Sequence, residues 1–149
     1  MFPQKIVFVL IACCFLNLSA TAQLIVNAEG IHPENACEPG AIYYLTENKA
    51  KPIDRIDSIE VRLNKVLSLK EYSSSETRAA IQFVVNCHAE LGGGFHIVTS
   101  TGNDALDTNL LTFFKTITKW KAGIVGNKPV DSWYMWRLSI ENGYATIVN

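Results

Sequence analysis

The sequence predicts an α+β fold, a two-layer sandwich with two helices packed on one face of a small antiparallel sheet. Three observations carry this prediction. Apolar residues recur at spacings of three and four in two separate stretches, and between those stretches they recur at every second position. Asn142-Gly143 stands between two runs of branched and aromatic residues, which is a strong hairpin signal. Helices with a single apolar stripe need a sheet face to cover, and one shared face is the simplest solution for so few strands.

Taken in order, residues 1–22 are expected to be a cleavable signal peptide. Lys5 precedes an apolar run from Ile6 to Leu16, and Ala20-Thr21-Ala22 forms a small-x-small cleavage site before Gln23. The run is too short for a stable membrane span. A lipoprotein signal ending at Cys13 is the weaker alternative, because too few residues precede Cys13 to form a full apolar core. The expectation is an exported chain, periplasmic or extracellular, with no transmembrane span in its mature form. Cys13 and Cys14 leave with the signal, so Cys37 and Cys87 remain in an oxidising compartment. An even pair there favours one disulfide, with two free thiols as the alternative. The bridge would close a loop of about fifty residues and contribute roughly 3–4 kcal/mol by chain entropy.

Residues 23–51 form an irregular arm, broken by Gly30, Pro33, Asn35, Pro39 and Gly40, with a short strand over residues 41–46. Residues 52–149 form the main domain. Pro52 and Asp54 mark a helix start, and Ile56, Ile59, Leu63, Val66 and Leu67 form its stripe, ending near Tyr72. From Thr77 the period is two, with Ala79, Ile81, Phe83 and Val85 on one face. Residues 86–94 are expected to be a turn and residues 95–100 the return strand. Asn103 or Asp104 caps the second helix, whose stripe is Leu106, Leu110, Phe114, Ile117 and Trp120. A glycine-marked loop follows, then an aromatic strand from Trp133 to Glu141 and a final short strand after Asn142-Gly143.

A net charge of −1 with scattered Lys and Arg gives no footprint for nucleic acid or an anionic membrane. Candidate chemistry is weak throughout. Cys87 and His88 are adjacent, so on a strand they point to opposite faces and do not make a nucleophile–base pair. His32, His88 and His96 with Cys37 match no zinc spacing. Gly92-Gly93-Gly94 leads into a strand, whereas a phosphate loop opens a helix. No catalytic residue, cofactor or metal is therefore expected, and the chain is not expected to be an enzyme.

Parity sorts the tryptophans. Trp120 on its helical stripe is core, and Trp136 shares the helix-facing side with Tyr134, Leu138 and Ile140. Trp133, Met135 and Arg137 share the outer face, where an exposed row of that kind is a candidate partner-binding surface.

Residues 120–130 read W-K-A-G-I-V-G-N-K-P-V. This segment resembles the loop motif of the TonB C-terminal domain family: an aromatic, a spacer, Pro, Gly or Ala, three spacers, then Gly-x-Pro-Val. Trp120, Gly123, Pro129 and Val130 carry it, with Ala122 in place of the usual Pro and Asn127 in place of the Gly. Ile81-Gln82-Phe83-Val84-Val85-Asn86 resembles a family strand, and Leu106-Asp107 with Leu110-Leu111 resembles the preceding helix. The resemblance spans roughly residues 56–140. It implies a protein-interaction domain that binds a segment of an envelope or outer-membrane protein by strand addition, here expected in an exported, stand-alone chain because of its signal peptide. The surface would be the sheet edge beside the final strand together with the Trp133 row. A retained membrane anchor and a Pro-rich spacer are missing from the pattern, so energy transduction is not expected. A small secreted enzyme using Cys87 or the histidines, and a self-associating envelope module or homodimer, are the alternatives.

Overall fold

The structure, a computed structural model, describes residues 33–72 and 76–148. The signal peptide expected at residues 1–22, the first part of the arm and His32 lie outside the described residues. Among the described residues no helix is long and apolar enough to cross a membrane.

The elements run β1 (Lys51–Pro52), α1 (Ile56–Val66), a 3-10 turn (Leu69–Tyr72), β2 (Thr77–Val85), β3 (Leu91–Thr99) and α2 (Asp104–Phe114). Then come β4 (Trp120–Lys121), β5 (Gly123–Val125), β6 (Lys128–Val130), β7 (Ser132–Glu141) and β8 (Tyr144–Ile147). The main sheet has the order β3-β2-β7-β8 and is antiparallel throughout. Two small antiparallel ribbons, β1–β4 and β5–β6, flank it. The α1 helix packs toward β8 and α2 toward β3, so the two helices form one layer over the sheet. This is the α+β sandwich the periodicity predicts.

Local chemistry moves several boundaries. Pro52 belongs to β1, and α1 starts at Ile56 behind Arg55, which supplies no side-chain cap. The helix ends at Val66, well short of Tyr72. Ile59, Leu63 and Leu67 are buried, while Val66 in the last turn is exposed. Asn103 is the cap of α2, and its side chain accepts the Leu106 N–H at 2.9 Å. That helix stops at Phe114 although its apolar stripe runs on. Thr116-Ile117-Thr118 is β-branched and lowers helix propensity. The Thr116 hydroxyl also donates to the Phe113 carbonyl at 2.6 Å, which satisfies part of the helix end. Ile117 and Trp120 still reach the core, but from a turn and from β4.

The glycine run is not the hairpin turn. That turn is residues 86–90, closed by Asn86, whose side chain accepts the N–H of His88 and Glu90. Gly92 to Gly94 lie inside β3, where they carry register shifts against β2. A side chain at Gly92 would meet Val84 at 2.9 Å, and Gly93 has a φ of +96°. Residues 120–130, expected as a helix end and loop, are instead β4 and the β5–β6 hairpin. Gly126 and Asn127 turn that hairpin with φ of 54° and 61°, as Asn142 and Gly143 turn the last one with 52° and 74°.

The core lies between sheet and helices. Trp136, Phe83, Phe114, Leu110 and Ile140 are fully buried, with Trp120 nearly so. Trp136 stacks on Phe114 at 5.0 Å and meets Trp120 at 5.8 Å. Burying an aromatic of this size contributes about 1.5–3 kcal/mol or more, so this cluster supplies a large share of the core's stability.

Candidate partner-binding surface

Strand β7 places the three expected surface residues on the outer face, as parity requires. Trp133 lies opposite Val84, Met135 opposite Gln82 and Arg137 opposite Ala80. Trp133 is nevertheless not exposed: only 8% of it is accessible. The arm covers it. Tyr43 N–H donates to Asp131 O at 2.9 Å and Trp133 N–H donates to Tyr43 O at 3.0 Å, a parallel bridge that seats the arm beside β7. Ile42 and Tyr44 then face inward. Ile42, Val84 and Trp133 form a second apolar cluster, with Tyr44 packed against it. Tyr44 stacks on Trp133, His96 meets Trp133 edge-on, and Gln82 donates to the Tyr44 hydroxyl at 3.1 Å. The strand expected over residues 41–46 is thus one bridge residue with two apolar flanks. Their alternation, Ile42 and Tyr44 around Tyr43, is the sequence signal that these residues line a sheet face.

Toward the other end of the outer face no described residue of the arm lies over the sheet. Met135 is half-buried and Arg137 exposed. With Arg78, Val98 and Val148 they line a groove of about 420 Å³. Arg78 lies opposite Ser139 and Arg137 opposite Ala80, so the two guanidiniums are diagonal neighbours on one face. Among the described residues Arg78 pairs with Glu76, at 3.5 Å and with both side chains exposed, a pairing of little worth.

The edge beside the final strand is closed, which corrects the expected docking edge. Ala145 N–H donates to Asn64 Oδ1 at 2.7 Å, and Asn64 Nδ2 donates back to Ala145 O at 2.8 Å. Ile147 N–H donates to Glu60 Oε1 at 2.7 Å. Side chains of α1 therefore occupy backbone groups that an added strand would need.

Cys37 and Cys87 form a disulfide across a sequence separation of 50. Asp131, itself buried, accepts Glu38 N–H at 2.7 Å and Cys87 N–H at 2.9 Å, tying down the residues at this corner. Asn86 donates to Asn35 O, and Asn35 N–H to Gly92 O. The sulfurs of Cys37 and Cys87 lie with a ring nitrogen of His88 inside 4.8 Å. Bonded to each other, they serve neither as thiolate ligands nor as a nucleophile. His96 sits apart on the outer face, its Nδ1 2.9 Å from Gly94 O.

The motif residues are structural. Trp120 is buried, and its indole N–H donates to Ile117 O at 2.6 Å. At Gly123 a Cβ would come 2.6 Å from Ser132 Oγ, so the β5 strand approaches β7 only as glycine. Pro129 and Val130 pair with Ile124 and Gly123 in the ribbon. Asp107 anchors the start of α2, accepting the Thr101 N–H at 2.9 Å and its hydroxyl at 2.7 Å. Burial pushes its carboxyl up, but hydrogen bonds from Ser100 and Thr101 outweigh this and hold it below the ordinary 3.8.

Comparison with family models, with curated proteins and with solved structures found no significant match.

Proposed function

We propose that the protein is an exported binding module, periplasmic or extracellular, similar to the TonB C-terminal domain in fold. It captures a segment of an envelope or outer-membrane protein on the outer face of its sheet, and it is neither an energy transducer nor an enzyme. One observation carries this proposal. The arm seals the Trp133 end of the outer face, yet Arg137, Met135, Arg78, Val98 and Val148 are left around a groove that no described residue of the arm lines. An apolar floor beside two guanidiniums suits a segment that offers carboxylates and small apolar side chains. The motif at Trp120, Gly123, Pro129 and Val130 supports the family likeness, and the Cys37–Cys87 bridge suits an oxidising compartment. The β8 edge has no part in capture, because α1 fills it. Crosslinking from Val98 in the groove, compared with Tyr144 on β8, tests the assignment.

A further inference from the structure

Lys51 stands directly across from Lys121 in the β1–β4 pair. Like charges at directly opposed positions repel and weaken a strand pair. The register continues on both sides: Asn48 bridges Ile124, and Ile53 N–H donates to Lys119 O at 2.9 Å. Alternation then sorts the ribbon's side chains. Ala50 and Trp120 enter the core, whereas Lys49, Lys51, Lys119 and Lys121 are all exposed. Four lysines therefore share one ribbon face in a chain of net charge −1. The ion pairs among the described residues use Arg55, Arg62 and Arg78, and none of these lysines takes part.

Two grooves, of about 540 and 490 Å³, flank the ribbon and share Lys51 and Lys121 as a common wall. Ile53, Ile56 and Tyr134 line the first, whose one carboxylate, Asp54, is held by Arg62 at 2.9 Å. Lys49, His88, Ile124 and Pro129 line the second.

We infer that this ribbon docks an acidic segment of a partner protein, laid in extended form across the Lys51–Lys121 pair. Carboxylates on one side of an extended peptide match the row of ammonium groups, and its alternate apolar side chains fit the groove walls. A polysaccharide or nucleic acid brings the charge without those side chains. A flat bilayer surface does not enter two grooves. Bound carboxylates also offset the like charges of the opposed Lys51 and Lys121. It shares no lining residue with the Met135–Arg137 groove and stands independently of it.

The test is fluorescence anisotropy with a labelled peptide of alternating Glu and Leu, titrated with the mature protein at two salt concentrations. The expected result is binding that weakens with salt and falls by about fivefold or more in Lys51→Gln/Lys121→Gln. The control Lys65→Gln/Lys70→Gln, with the same charge change elsewhere, should lose less than about twofold. Lys49→Gln/Lys119→Gln leaves the opposed pair in place and should weaken binding in the same direction. A melting temperature of Lys51→Gln/Lys121→Gln at or above wild type shows that the fold is kept. The inference is overturned by no peptide binding or by equal losses in the ribbon and control variants. It is equally overturned if heparin fragments or anionic phospholipid vesicles bind through Lys51 and Lys121 in preference to the peptide.

Discussion

Tyr44 stacks on Trp133, with ring centroids 5.6 Å apart and planes 29° from parallel. This contact decides which part of the outer sheet face is available. It spends the residue that the sequence marks most strongly for recognition on holding the arm. Tyr44→Ala removes the stack and the hydrogen bond from Gln82, and it should lower stability by about 1–3 kcal/mol. Tryptophan emission should shift to the red as Trp133 meets water. Chemical denaturation and fluorescence of the variant check both effects, and an unchanged spectrum would place Trp133 outside the cover of the arm.

The disulfide holds the same arm from its other end. Thiol labelling of the native mature protein should modify neither Cys37 nor Cys87, and reduction should expose both. Cys37→Ser/Cys87→Ser should cost roughly 3–4 kcal/mol by the loop-closure model. A thiol at Cys87 that labels without reductant would restore the candidate nucleophile.

Asp107 ties α2 to the end of β3, and the direction of its shift sets a pH dependence. Its carboxyl titrates below 3.8 in the folded chain, so its stabilisation is complete above that value. It is lost as pH falls from there through the depressed folded value. Asp107→Asn should therefore destabilise by about 1–3 kcal/mol at neutral pH. The gap to wild type should narrow on acidification below about pH 4. Urea denaturation of both proteins across that range is the check, and a gap independent of pH would show that the charge is not what matters.

Asn64 guards the β8 edge. Asn64→Ala leaves the Ala145 N–H and C=O without their partner and should lower stability by about 1–3 kcal/mol. It also opens an edge to strand pairing, so sedimentation should show association that rises with concentration where wild type shows less. Equal sedimentation of the two proteins would mean that Asn64 contributes stability without protecting the edge.

The sheet and its inward face were legible because alternation needs only local sequence. Ala79, Ile81, Phe83 and Val85 face the helices as their spacing says, as do Trp136, Leu138 and Ile140. Asn142-Gly143 turns the last hairpin because few residues other than Asn and Gly tolerate two consecutive positive φ values. The end of α2 was hidden, since the apolar stripe continues through Ile117 and Trp120 after the helix has stopped. The burial of Trp133 was not legible either. Parity names a residue's face but not what a segment some ninety positions upstream lays over it. The closure of β8 by Glu60 and Asn64 was missed for the same reason, because polar residues on a helix look solvated until the sheet is in place.

Site-specific photocrosslinking in cells separates capture in the Met135–Arg137 groove from capture at the β8 edge. Val98 beside the Met135–Arg137 groove and Tyr144 on β8 are each 48% exposed, so a photoreactive residue at either position is equally accessible. The expected result is a discrete adduct with an envelope protein from position 98, lost when Arg78→Gln/Arg137→Gln is added, and no such adduct from position 144. Adducts from position 144 alone would contradict it and return capture to the strand edge.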